Sequence, residues 1–196
     1  MNLGQMLMVT GAIVLLGILV LNANSTVYQA SDSMYTSEFG MTAVSLSTSL
    51  VEEAMGKMFD KVVAPANSLA VYDSTLLTSP GALGPELGES YHVAGHDFND
   101  FDDFNNLKIC YHGSLPGDAD ATSGFVQVQV TGLQAKYYVS CTVTYVRPPN
   151  LDADYTVRQT WHKKITVKVW SPSALKPGSS EILDTLTYPA VMSYWN

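Results

Sequence analysis

Hydrophobic positions fall into two regimes along the chain: a seven-residue repeat up to about Val63, and strict alternation after it. Across residues 6–21 the one polar side chain is Thr10, and no charged residue occurs before Asp32. A bilayer core about 30 Å thick needs ~20 apolar helical residues, and residues 3–23 supply that length. A buried core helix would need a polar face to solvate, which this segment lacks. Beyond it the apolar pattern persists. Steps of seven from Met6 meet Ile13, Val20, Val27, Met34, Met41, Thr48, Met55 and Val62. Three residues further on lie Val9, Leu16, Ala23, Ala30, Ser37, Val44, Val51 and Met58. Only Thr48 and Ser37 are polar, and both are small. A heptad held this long marks a helix packed along its length on partner helices. No proline interrupts it before Pro65, so nothing obligatory breaks it. The pattern predicts a helix to about Val63, ~90 Å long by its rise per residue. A domain built from the rest is only about 30 Å across, so the helix is expected to project from it.

Residues 25–49 contain 11 Ser or Thr, indifferent helix formers that need neighbours to hold them helical. Small side chains also permit close helix–helix approach. A solvated, glycosylated stalk is the alternative reading of that stretch. Gly11, Gly17 and Gly40 are places where the helix can unwind or accept a close neighbour.

After Pro65 a loop-rich stretch, 64–106, carries at most a short strand near 69–72. Alternating runs follow at 107–112, 124–131, 136–146, 163–170 and 185–195. Val126-Gln127-Val128-Gln129-Val130 and Ile165-Thr166-Val167-Lys168-Val169 are clean period-two patterns, with one apolar and one solvated face. The expected fold class is α+β. A long projecting N-terminal helix (1–63, with a membrane segment about 3–23 and then an assembly stalk) packs through residues 41–62 on an antiparallel β-sheet head (64–196).

Charge sharpens that division. The chain has 10 basic and 18 acidic side chains, a net charge of −8. Residues 1–56 hold four acids (Asp32, Glu38, Glu52 and Glu53) and no Lys or Arg. That balance argues against nucleic-acid binding, which needs clustered basic residues. A secretory signal cleaved after Leu21-Asn22-Ala23 is the competing reading of the first segment, but its basic flank is missing. The empty flank suggests instead a trimmed chain whose mature start is Met1.

Cys110 and Cys141, the two cysteines, each fall in a predicted strand. A bridge between them would close a loop of about 30 residues and contribute about 3–4 kcal/mol, in keeping with an oxidising, exported location. Two unpaired core thiols are the alternative. The segment from His96 to Asn106 crowds Asp97, Asp100, Asp102 and Asp103 among aromatics. Such oxygen-rich loops suit Ca²⁺, although the EF-hand spacing is absent. A turn whose Asp and Asn side chains bond their own backbone is the plainer reading. No other cofactor is expected. His92 and His96 are four apart, but no helix is predicted there to bring them together. Gly-rich phosphate loops and nucleophile motifs are absent, and His112-Gly113-Ser114-Leu115-Pro116-Gly117 only superficially suggests one. The chain is therefore not expected to be an enzyme.

A charge-free N-terminus that continues into a helix of about 60 residues and a small sheet domain resembles a type IV pilin or pseudopilin subunit. Phe101-Asp102-Asp103-Phe104-Asn105-Asn106 and Thr160-Trp161-His162-Lys163-Lys164-Ile165-Thr166-Val167-Lys168-Val169 are similar to segments of pilin-like proteins of the mannose-sensitive haemagglutinin pilus type. The resemblance implies a structural subunit of an extracellular filament at the cell surface, held in the inner membrane before assembly. Its implied partners are copies of itself, a prepilin peptidase that removes a basic leader, and the pilus assembly machinery. The assembly residues would be Gln5, Met6, Val9, Ile13, Leu16, Val20, Val27, Met34 and Met41. Two departures stand out. Such subunits usually carry a glutamate at the position of Gln5, which pairs with a neighbour's N-terminal amine; an amide avoids burying an unpaired carboxylate. A helix-bending proline near Asn22 is also missing, so the helix is expected to be straighter, or to melt locally near Gly11 and Gly17. The alternative reading is a single-pass, membrane-anchored binding module whose Asp-rich loop holds Ca²⁺.

Overall fold

The computed structural model describes residues 2–63, 72–113, 124–133, 135–172 and 185–194. Its first element is one α-helix, α1 (Leu3–Met55), of 53 residues and ~80 Å by its rise. The helix runs unbroken through Gly11, Gly17 and Gly40, without the local melting that the glycines allow. The Ser/Thr-rich stretch stays helical by turning hydroxyls onto the carbonyl four residues back. Thr26 donates to Asn22 at 2.9 Å, Thr36 to Asp32 at 2.9 Å and Ser37 to Ser33 at 2.8 Å. Thr10 donates to Met6 in the same way. Hydroxyls satisfied within the helix make little demand on water.

The chain forms two compact units, residues 1–41 and 42–196. In the first, every side chain from residue 2 to 38 is exposed. In the second, α1 buries Ala43, Ser47, Leu50, Val51 and Ala54, a stripe at helical spacing. This stripe differs from the predicted seam. Met41 and Val44 stay 69% and 47% exposed, because the buried face is rotated by about one residue, ~100°, from the heptad positions. Only Val51 serves both.

The helix also ends earlier than its repeat suggests. The Gly56 amide closes the last turn on the Glu52 and Glu53 carbonyls, and the backbone then pairs elsewhere. Met58 receives the Phe101 amide at 2.8 Å and donates its own to Asn99. Those tertiary bonds replace the helical ones that would have carried α1 to Val63, and only a 3₁₀ turn, Lys61–Val63, follows.

Six strands form one sheet: β1 (Lys108–His112), β2 (Val126–Gln129), β3 (Tyr137–Arg147), β4 (Asn150–Asp154), β5 (His162–Trp170) and β6 (Leu186–Ser193). Their order is β2-β1-β3-β5-β6, with β4 pairing β3 separately. The fold is α+β as expected, but the sheet is mixed rather than antiparallel throughout. β1 and β2 run parallel, with Ile109 opposite Val126. The chain between them reaches the dozen or so residues that a parallel crossover needs. β4 was not foreseen: Leu151 and Ala153 alternate with polar residues over only five positions, and all five side chains are exposed. Of the strand expected near 69–72, all but Tyr72 lies outside the described residues.

The expected Cys110–Cys141 disulfide does not form. β1 pairs with Ile109 opposite Val139 and Cys110 opposite Tyr138. Cys110 therefore lies on the Tyr138 face, and Cys141 lies with Val139 and Val143 on the other. Side chains on opposite faces cannot be bridged without moving the backbone. Both cysteines are buried, and burial pushes the Cys141 thiol up to about 12. Full-length chain denatured without reductant is expected to take up alkylating agent at both cysteines, as read by intact mass. Labelling that requires prior reduction would show the strand register to be wrong.

Candidate functional site

Two features go beyond ordinary packing, one in each unit. The first is the apolar face of α1. Met6, Val9, Ile13, Leu16, Val20, Val27, Met34 and Met41 are each between 51% and 74% exposed, and Gln5 is exposed beside them. The Asn2 amide donates to the Gln5 side-chain carbonyl at 3.4 Å. Among the described residues, α1 is the one helix long and apolar enough to cross a membrane.

The second is a carboxylate-rich cluster in the head, organised by Lys163. This lysine occupies an inward position of β5, in phase with Ile165, Val167 and Val169, and like them it is fully buried. Its ammonium donates to Asp102 Oδ1 at 2.6 Å, to Asp60 Oδ2 at 2.8 Å and to the Phe59 carbonyl at 2.8 Å. It also lies 4.7 Å from the Phe59 ring centroid and 5.4 Å from that of Tyr145, within cation–π range. Asp60 in turn accepts the Thr78 amide at 2.9 Å and the Thr78 hydroxyl at 3.1 Å. The Tyr145 hydroxyl donates to the Thr78 carbonyl at 2.7 Å. One cation thus joins the segment after α1, the 77–78 loop, the Asp-rich loop and β5.

The four aspartates of that loop take separate posts. Asp97 lies at the surface, where Lys57 reaches it at 3.2 Å and the His92 amide donates to it at 3.0 Å. Burial works against its charge, yet these two contacts hold its pKa below the usual carboxyl range. Asp102 belongs to Lys163. Asp100 Oδ1 accepts the Asp102 and Asp103 amides at 3.0 and 3.3 Å, so it folds the loop onto itself. Asp103 Oδ2 accepts the Asn99 and Asp100 amides at 2.8 and 3.0 Å. Phe98, Phe101 and Phe104 bury the loop's other side, with Phe98 edge-on to Phe104 at 5.2 Å. Asn105 fastens the loop to β3 by accepting the Val143 amide at 2.9 Å.

Asp103 is the member that faces further acid. Its carboxylate comes within 4.8 Å of those of Glu86 and Glu89. Glu86 Oε1 is held by Lys61 at 2.7 Å. Glu89 Oε2 accepts the Glu86 amide at 2.9 Å, and its other oxygen meets the Asn99 amide nitrogen. Burial, reinforced by Glu89 and Glu86, pushes Asp103 up to about 7. Burial beside Asp102 and Asp103 pushes Asp100 up to about 9. The native state therefore keeps protons that the unfolded chain has released, so stability falls as pH rises from about 4 to about 7 through Asp103 and on to about 9 through Asp100. The lowered carboxyls, Asp97 and Asp154, act below that window. In chelator-treated buffer, the melting temperature is expected to be higher at about pH 5 than at about pH 8. A flat or rising profile would contradict this account of Asp100 and Asp103.

Sequence reasoning did not single out Lys163, Asp60, Glu86 or Glu89. A signal for Lys163 was present, because one step back along the alternation from Ile165 places it on the inner face. The two glutamates offered none, since loop folding alone brings them to Asp103. Trp161 stacks on Tyr194 at 5.7 Å and Trp170 on Tyr138 at 5.8 Å. Comparison with protein-family models, with curated proteins and with solved structures finds no match. What the fold itself defines is a long apolar N-terminal helix followed by a sheet domain, an architecture of pilin-like kind.

Proposed function

We propose that this chain is a structural, non-catalytic subunit of an extracellular type IV pilus-like filament, assembling through the heptad face of α1. The observation that carries the proposal is the exposed apolar length of α1 that lies beyond the stretch the head covers. The head uses the Ala43–Ser47–Leu50–Ala54 face, while the seam from Met6 to Met41 stays exposed. Copies of the same helix are suited to cover it, because the seam is apolar and uncharged and repeats every seven residues. Internal bonding of the Ser and Thr hydroxyls supports the same reading. Before assembly the segment would reside in the inner membrane, with a prepilin peptidase and the pilus assembly machinery as the partners that the resemblance implies.

The test is electron microscopy of cells that produce the chain together with a pilus assembly system, with antibody labelling of the filaments. Labelled filaments in which the chain is a repeating subunit are expected. A chain that stays in the membrane fraction as a monomer would favour the membrane-anchored binding module instead.

A further inference from the structure

Among the described residues, the acidic group at Asp103 gathers more carboxylates than ammonium groups. Asp60, Asp100, Asp102, Asp103, Glu86 and Glu89 form a connected cluster that holds two ammonium groups, those of Lys61 and Lys163. Among the described residues, four buried carboxylate oxygens have no hydrogen-bond donor: Glu86 Oε2, Asp100 Oδ2, Asp102 Oδ2 and Asp103 Oδ1. Two of them, on Asp100 and Asp102, belong to residues outside the Glu86–Glu89–Asp103 triad. The other two, Glu86 Oε2 and Asp103 Oδ1, both belong to the Glu86–Glu89–Asp103 triad. Asp103 is fully buried, and a buried carboxylate oxygen without a partner is costly. The triad's ligand atoms lie within 4.8 Å of one another, close enough for a single ion to touch all three.

We propose that Glu86, Glu89 and Asp103 form a Ca²⁺ site. The donors are all oxygen, which excludes a preference for soft metals. Carboxylates on loop segments adapt to the irregular six- to eight-oxygen shell of Ca²⁺ more readily than to the strict octahedron of Mg²⁺. The Asn99 side chain, in contact with Glu89, stands at the edge of the site. The ion would pin the 86–89 segment to the Asp-rich loop, which already carries α1 through Met58 and β5 through Lys163. Of the four aspartates in the loop, only Asp103 takes part. The proposal is independent of how the exposed face of α1 is used.

The experiment is a melting-temperature titration of the full chain in detergent micelles, stripped with chelator and returned to Ca²⁺ or Mg²⁺. Calorimetric titration supplies the affinity directly. Wild type is expected to bind one Ca²⁺ with Kd on the order of 10⁻⁴–10⁻³ M, as extracellular Ca²⁺ modules do. Its melting temperature should rise by roughly 3–6 °C at a tenfold excess over Kd. Glu89→Gln and Asp103→Asn are expected to melt at or above wild type without the ion, since each removes a repelling charge, and to lose the Ca²⁺-dependent rise. Asp97→Asn, in the same loop but outside the triad, should keep it. No binding at millimolar Ca²⁺ would overturn the site. So would an equal response to Mg²⁺, or an unchanged Ca²⁺ response in both triad variants.

Discussion

Replacing Lys163 by methionine is expected to destabilise the head by about 3–5 kcal/mol, because it leaves Asp60 and Asp102 buried without their cation. For a chain of this size that lowers the melting temperature by roughly 6–20 °C. The loss is expected to exceed what the side chain's volume accounts for, since methionine fills nearly the same space. It should be largely reversed when Asp60→Asn and Asp102→Asn are added, as replacing all partners of a buried ion pair is often neutral. Lys164→Met is the control one residue away. Lys164 reaches Asp154 at 2.8 Å, but that carboxylate is 53% exposed, and such pairs are worth about 0–1 kcal/mol. Thermal unfolding of the full chain in micelles reads all four proteins. If Lys163→Met and Lys164→Met fall by the same amount, the buried ammonium is not what joins the four segments.

Loss of filaments is the expected result of placing a carboxylate on the heptad face of α1. Val20→Asp or Ile13→Asp sits within the apolar span, where an aspartate costs about 2.5–3.5 kcal/mol on insertion scales. Either variant therefore disturbs both membrane residence and assembly. Met34→Asp separates the two. It lies beyond residues 3–23, so the amount in the membrane fraction should match wild type, while filaments on the cell surface should be absent. Each subunit in a helical array repeats the defect, so one buried charge per chain is multiplied along the whole core. The head should be unaffected, because residue 34 lies in the other compact unit. Normal filaments from Met34→Asp would remove the seam as the assembly surface.

Much of the fold was legible where one physical signal dominated. Alternation placed β3 and β5 because each has a face buried against the core, and burial imposes period two. The long apolar run placed α1 by its length and composition instead, since its side chains up to residue 38 are exposed. Where tertiary bonds decided, the pattern misled. The repeat at Met58 and Val62 continues the helical phase, yet the Met58 backbone is captured by Asn99 and Phe101. The two cysteines both lie in strands, but the β1–β3 register, set by burial of Ile109 against Val139, puts them on opposite faces. β4 is a short strand whose alternating Leu151 and Ala153 are exposed, so no buried face reinforces its pattern. The Asp-rich segment was visible as unusual, and Asp100 and Asp103 do bond their own backbone as turn chemistry predicts. Its convergence with Lys163 and the two glutamates depends on segments far away in the chain, for which no local spacing rule exists.

The junction after α1 also fixes how the head would bear tension. A pull along the helix that overcomes the packing of Ala43, Ser47, Leu50, Val51 and Ala54 reaches residues 57–60, where Lys57 grips the Phe98 carbonyl at 2.7 Å, Met58 bonds the 99–101 backbone, and Asp60 holds Lys163. Lys163 belongs to β5, which is laddered to β3 on one side and β6 on the other. Load is thereby delivered to an inner strand with neighbours on both edges, and many hydrogen bonds must yield together before that strand can slip. A head hung from a loop or an edge strand would peel open one bond at a time.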